Sequence, residues 1–269
     1  MKNAPIAAVG LVLLALLPLA EGCGRYDLNA HYADSSRVDQ GLVVILPGIE
    51  GESKANRDIR EGLYRAGIPY ALVIYRWGSL IPGPGGMLLN QTNVARNRRM
   101  ADELAEQVVQ YQQKHPGKPV FLIGHSAGGG IAVFTLEALG KIPEALPVEG
   151  AFLLSASISS DYDLTDALRM TRRGLINVSN KDDRLLNSGT AAFGNVDGKR
   201  GDSAGRTGFN RAYPKVFERP ITNEQARREL GIRGAPHFIA TKEQLIEKYA
   251  PAWILSETWP PPRAGSTKP

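Results

Sequence analysis

Five residues, Gly124-His125-Ser126-Ala127-Gly128, set a serine hydroxyl between two glycines in the order G-x-S-x-G. A serine in that order can attack a carbonyl, because a sharp turn from strand to helix presents its Oγ while the glycines avoid clashes. The pattern discriminates poorly by itself, since Gly201-Asp202-Ser203-Ala204-Gly205 satisfies it too. The residues on either side separate the two. Val120-Phe121-Leu122-Ile123 before Gly124 is an apolar, β-rich run. Gly128-Gly129-Gly130 and then Ile131-Ala132-Val133-Phe134 suit the start of a closely packed helix. Ser203 instead follows Asp197-Gly198-Lys199-Arg200, a polar stretch with no strand, and reads as a loop serine. For Ser126 the bland alternative is an ordinary turn residue.

A nucleophile of this kind needs a rigid frame, and the chain predicts one by alternating strand-like and helix-like segments. Leu42-Val43-Val44-Ile45-Leu46, Ile68 to Tyr75, Val120 to Ile123, Val148 to Ser155 and Gly174 to Val178 are apolar and rich in β-formers. Runs of that kind suit strands buried on both faces. Between them, Lys54 to Ala66, Thr92 to His115, Ala127 to Leu139 and Tyr162 to Met170 read as helices. Met100, Leu104, Val108 and Tyr111 recur at helical spacing in the second of these. Such alternation predicts an α/β fold with a mostly parallel sheet and helices on both faces. Leu185 to Pro220 has weak periodicity and reads as a long loop. Thr222 to Leu230 follows as a helix with Thr222 as N-cap, then a short strand near Gly234 to Ala240 and a closing helix from Lys242 to Tyr249. Arg76 to Gln91, rich in Gly and Pro with Leu80, Ile81, Met87, Leu88 and Leu89, reads either as an apolar lip over the site or as a loop packed on the core.

With the elbow and its strand contexts in place, the stretch from about Gly41 to Leu255 resembles the α/β hydrolases of the lipase and esterase group. The resemblance implies the α/β-hydrolase fold and a Ser, Asp, His order along the chain. A base must take the hydroxyl proton, and His is the usual one. Of four histidines, only His237 follows Ser126. His31 precedes the first strand, His115 ends a surface helix, and His125 is turned away by the elbow itself. The resemblance places the acid just past Asn177-Val178-Ser179, and its Ser-x-x-Asp pattern selects Asp182. The adjacent Asp183 is the alternative acid, and Asp163 after the preceding strand is a further one. For the oxyanion, the resemblance implies the backbone N–H of Ala127 and a second donor at Ile49 in Leu46-Pro47-Gly48-Ile49-Glu50-Gly51. Related enzymes carry His-Gly where this chain has Pro47-Gly48. The chemistry implied is hydrolysis of an ester by a carboxylesterase or lipase-like enzyme, through an acyl-enzyme, with a small-molecule or lipid ester as substrate. A peptidase or acyltransferase on the same triad, or a scaffold without catalysis, are the alternatives. No grouping of metal ligands at zinc spacing and no phosphate-binding glycine loop is present, so neither metal nor cofactor is expected.

The 269 residues are enough for one α/β domain, and no internal repeat or linker divides them. The net charge is +5. Its basic runs (Arg96 to Arg99, Arg172-Arg173, Lys199-Arg200, Arg227-Arg228) lie beside acidic residues and read as solvated faces, not a nucleic-acid surface. Lys2 followed by the apolar stretch Ile6 to Leu19 reads as an export signal, too short for a permanent span. The chain's one cysteine, Cys23, follows Leu19-Ala20-Glu21-Gly22 and resembles a bacterial lipoprotein attachment site, although Ala20 and Glu21 depart from the usual lipobox. Residues 1–23 are therefore expected to direct export, with a lipid on Cys23 holding the protein at a membrane surface. Residues 24–255 are expected to form the hydrolase domain, and residues 256–269, Pro-rich from Trp259, a flexible tail.

Overall fold

The computed structural model describes residues 26–27, 29–78, 81 and 83–261. Seven strands follow in chain order: β1 (Tyr26–Asp27), β2 (Leu42–Leu46), β3 (Ala71–Tyr75), β4 (Val120–His125), β5 (Val148–Leu154), β6 (Thr171–Val178) and β7 (Val216–Glu218). They form a single sheet in the order β1-β3-β2-β4-β5-β6-β7, with only β1 antiparallel. The helices used below are α1 (Ser35–Val38), α2 (Lys54–Arg65), α3 (Gly83–Thr92), α4 (Val94–Lys114), α5 (Ala127–Leu139), α6 (Thr165–Arg169), α7 (Arg184–Phe193), α8 (Ala204–Thr207), α9 (Asn223–Leu230) and α10 (Glu243–Ile254).

Residue parity along the strands builds two cores. Leu42, Val44 and Leu46 join Met100 and Leu104 of α4 and Ile131 and Phe134 of α5. Val43 and Ile45 face the other way, onto Ile59 and Leu63 of α2 and Ile246 and Ile254 of α10. Every residue of β2, β3 and β4 is buried, so these strands are continuous apolar runs and lack the alternation of a half-exposed sheet. Chain direction diverges between β2 and β4. β3 lies outside β2, and β5 lies outside β4. Ligand sites in open parallel sheets form at the carboxyl ends of strands at such a switch point. There Leu46 pairs with Gly124, so the loop after β2 and the elbow after β4 leave the sheet side by side.

Several sequence expectations need correction. The long loop from 185 to 220 contains α7, α8 and the edge strand β7. Helix α7 carries Asn187, Ser188, Gly189 and Thr190, a poor helical composition, and is sustained by an N-cap on Asp183 and by tertiary contacts. The stretch expected as a strand near Gly234 to Ala240 is a 3-10 turn at Pro236–Phe238. Proline in the turn's first position supplies a fixed φ and no ladder donor. Helix α3 occupies much of the stretch expected as lip or loop. Trp259, expected in the loose tail, instead stacks on Phe121 at 6.5 Å between ring centroids and meets Phe152, Phe217 and Trp253 edge-on. Its indole donates to the Trp253 carbonyl at 2.7 Å. Residues 262–269 lie outside the described residues, as do 1–23 with Cys23.

Candidate active site

The elbow is a consequence of crowding. Ser126 stands between β4 and α5 at φ 54° and ψ −124°, a conformation that L-residues seldom adopt and that costs roughly 1–3 kcal/mol. Surrounding backbone enforces it. The Ser126 N–H donates to Leu154 O at 3.0 Å, and its carbonyl accepts from Gly129 N–H at 3.0 Å and Ser157 N–H at 2.9 Å. A Cβ on Gly124 would stand 2.2 Å from Gly128 O, and one on Gly128 would stand 2.2 Å from Leu46 O. The partners are backbone and cannot yield, so both glycines of the motif are sterically required. Gly129 and Gly130 bring α5 against Ala156 and Val196 in the same way.

Ala127 is the first residue of α5, so its N–H has no intrahelical acceptor and lies at the positive end of the helix. The loop after β2 stands beside it and is held from outside. Trp77 Nε1 donates to Pro47 O at 2.7 Å, and Asn90 Nδ2 donates to Ile49 O at 2.8 Å. Both loop carbonyls are thus drawn away into the protein. Arg96 ties the two supports together, donating from Nη1 to Asn90 Oδ1 at 3.3 Å and from Nη2 to Trp77 O at 3.1 Å. Trp77 and Asn90 supply the order that a histidine was expected to give in related enzymes. Sequence reading missed both, because they lie 30 and 41 residues from their partners.

His237 sits in the 3-10 turn, almost fully buried, with Nδ1 at 2.7 Å from Asp183 Oδ2. The carboxylate on the imidazole is therefore Asp183, and the sequence preference for Asp182 is corrected. Asp183 is wholly buried and N-caps α7, its Oδ1 accepting from Leu186 N–H at 3.0 Å while Oδ2 faces the ring. Asp182 points outward and is exposed. Asn180 sets this alternation. Its carbonyl receives the Asp183 N–H at 3.0 Å, its Oδ1 receives the Asp182 N–H at 3.1 Å, and its Nδ2 reaches Asn223 Oδ1 at 2.9 Å. Asp163 is remote from this cluster in function: it is exposed and caps Thr165 at the start of α6. Burial pulls the His237 pKa below its ordinary value, against Asp183, which pulls it up; the neighbouring His125 adds to the lowering. The imidazole consequently stays neutral, and able to accept a proton, at lower pH than a free one.

His125 has no partner in the sequence reading but sits at the centre of the site. Its ring lies 4.8 Å from that of His237, and its Nε2 is 3.2 Å from the His237 carbonyl. On its other side Nδ1 stands 3.8 Å from Glu50 Oε1, an ion-pair distance too long for a hydrogen bond. Burial tends to raise the Glu50 carboxyl, but His125 and hydrogen bonds from its own backbone and Ser53 outweigh it, so its pKa lies below the ordinary value. A cleft of about 790 Å³ opens beside His237, walled by Lys181, Asp182, Asp183, Arg184 and Arg206. A separate apolar hollow under Leu154, Val178 and Trp253 lies away from these groups. Among the described residues, no group of three or more His, Cys, Asp or Glu side chains is gathered as metal ligands, and no helix is long and apolar enough to cross a membrane.

The family model described as "Serine aminopeptidase, S33" matches residues 39–182, just over half of the chain. The chain belongs to this hydrolase family. The family is one of serine hydrolases, and the parallel sheet described above is that of the α/β-hydrolase fold. The match spans the sheet's switch point and the elbow, and ends one residue before Asp183. Solved structures similar to this S33-family chain include an uncharacterized protein from Bacillus cereus, 18% identical, covering 78% of this chain and 60% of that one, with a TM-score of 0.45. This chain thus spans less than two thirds of that protein's length. A dienelactone hydrolase from Anabaena variabilis is 14% identical over 80% of this chain and 86% of that one, TM-score 0.46. The esterase domain of a Rhodothermus marinus protein is 16% identical over 81% and 87%, TM-score 0.43. Likeness at this level says nothing about substrate. No curated protein matches.

Proposed function

We propose that this chain hydrolyses carboxylic esters, with Ser126 as nucleophile, His237 as general base and Asp183 as the residue that orients it. The observation that carries the reading is the buried 2.7 Å contact between His237 Nδ1 and Asp183. It fixes the tautomer in which Nε2 is free to accept the serine proton. Attack by Ser126 Oγ on the ester carbonyl forms a tetrahedral oxyanion, and the N–H groups of Ala127 and Ile49 stabilise it. The protonated His237 returns its proton to the departing alcohol. Water, deprotonated by the same imidazole, then releases the acid from Ser126 and regenerates the hydroxyl. Asp183 stays ionised throughout and favours the imidazolium formed in each half-reaction.

Apolar exposure on α3 and α7 supports ester substrates with apolar acyl groups. Met87, Leu88, Leu185 and Phe193 are all exposed on these two helices, and α7 is capped by the acid itself. Fluorophosphonate labelling of the purified chain, lost in Ser126→Ala, is the expected result, with p-nitrophenyl esters turned over and chain-length preference set by these side chains. A folded wild-type protein that neither labels nor hydrolyses any ester of the series overturns the reading. The matched family's description favours a second reading, peptide-bond hydrolysis by the same three residues. Hydrolysis of amino-acid p-nitroanilides faster than the matching esters would select it. The export reading adds a place of action: a lipid on Cys23 would hold the enzyme at a membrane surface. The mass of the mature N-terminus tests this, and an unmodified thiol refutes it.

A further inference from the structure

We infer that Glu50 and His125 form a second acid–imidazole pair whose role is to position His237 and to couple its loop to the loop after β2. The inference rests on the proposed function, since it concerns how the base is set. Three observations carry it. The first is that His125 is wholly buried and holds the base by backbone, its Nε2 at 3.2 Å from the His237 carbonyl. A carbonyl can only accept, so that nitrogen carries the proton. The second is that the opposite nitrogen, which has no hydrogen-bond partner, faces the Glu50 carboxylate at 3.8 Å, so the two attract each other when the ring carries both protons. The third is that the loop is shaped around this carboxylate. A Cβ on Gly48 would stand 2.3 Å from Glu50 Oε2, so the glycine leaves room for the side chain to fold back. Ser53 Oγ, at the N-terminus of α2, donates to Glu50 Oε1 at 3.2 Å. Glu50 therefore links the helix start, the donor loop and the imidazole behind the base.

The charged and titratable groups facing His237 are Asp183 from the start of α7, His125 from the end of β4 and Glu50 from the loop after β2. Lys181, Asp182, Arg184 and Arg206 stand around the cleft beside it. His125 and Glu50 act on His237 in opposite directions, His125 lowering its pKa and Glu50 raising it. The His125 effect is the larger, and removing one or the other shifts the base the opposite way.

The test uses the full chain and reads His237 in two ways: the acid limb of kcat/KM on a p-nitrophenyl ester, and the imidazole titration followed by NMR with only four histidines to assign. His125→Gln keeps a donor for the His237 carbonyl but removes the ring. It moves both readouts to higher pH, so that kcat/KM falls roughly tenfold at acidic pH and much less above neutrality, with KM little changed. Glu50→Gln, on a partly exposed loop, moves them to lower pH. The double variant returns them toward wild type. His125→Phe lacks the donor as well and loses kcat at every pH, which His125→Gln partly restores. Equal losses in all variants without opposed shifts overturn the pairing. Because the NMR titration needs no turnover, it judges the pair even if the chain hydrolyses no ester, while absent fluorophosphonate labelling in wild type would count against the proposed function alone.

Discussion

The chain contains the same five-residue pattern twice, at 124–128 and 201–205, and folds the two copies into different objects. At Ser126 a buried strand runs straight into a helix and the serine takes the strain of the turn at φ 54°. At Ser203 the backbone is relaxed and extended, φ −103° and ψ 142°, and the residue caps the four-residue α8. Its hydroxyl is tied to Asn195 Oδ1 at 2.6 Å, and its backbone bridges Ser159. Glycines are needed in both copies. A Cβ on Gly205 would stand 2.1 Å from Ala156 N, as close an approach as any in the elbow. Gly201 is favoured instead by its φ of 121°, so crowded or left-handed glycines occur in either copy and do not mark a nucleophile. What sets Ser126 apart is the strand before it, the strained backbone at it, and the loop after β2 leaving the sheet beside it.

The largest effect should separate the two serines. Ser126→Ala is expected to lower ester hydrolysis by about 10³–10⁶-fold while the fold remains. Ser203→Ala should keep fluorophosphonate labelling but lose roughly 1–3 kcal/mol of stability, because Asn195 Oδ1 is left buried without its donor. Thermal unfolding and labelling, run side by side, would break the contrast if Ser203→Ala abolished labelling in a folded protein. A second pair of neighbours sharpens it. Asp183→Asn is expected to cost about 10⁴-fold in kcat, since the amide can present its N–H to the ring and hold the wrong tautomer. Asp182→Asn should stay within about twofold, and steady-state kinetics of the two variants decide the assignment. Smaller again is the effect of the loop supports. Trp77→Phe leaves the Pro47 carbonyl without its donor and should lower kcat about tenfold with KM nearly unchanged. The smallest effect is one of position on the pH axis. Burial disfavours the charged imidazole, so its neutral form persists to lower pH, and the acid limb of kcat/KM should fall below 6.5, the ordinary His value. A limb above that value would mean that Asp183 outweighs burial at this site.

What could be read from the sequence was what is determined locally. β2 is legible as Leu42 to Leu46 because every residue is apolar and both faces are covered. The first elbow is legible because strand, turn and helix are contiguous. The carboxylate that meets His237 was not, because choosing between Asp182 and Asp183 depends on which of them caps α7. That helix hides behind Asn187-Ser188-Gly189-Thr190, residues that favour it little. Had α7 been recognised, the N-cap preference for Asp would have pointed to Asp183. Trp77, Asn90 and Glu50 were invisible for a different reason: their roles exist only once the sheet has brought distant loops together. The edge strand β7 was missed because three residues are too few to show a period.

The aromatic packing at Trp259 also gives the molecule a natural optical readout. Of its three tryptophans, Trp253 and Trp259 lie 5.3 Å apart and nearly perpendicular, close enough for their excited states to couple. Trp77 stands apart, its indole bound to the loop after β2. Near-ultraviolet circular dichroism should thus report docking of the segment around Trp259, while emission from Trp77, isolated by Trp253→Phe and Trp259→Phe, follows the loop after β2 with no label added.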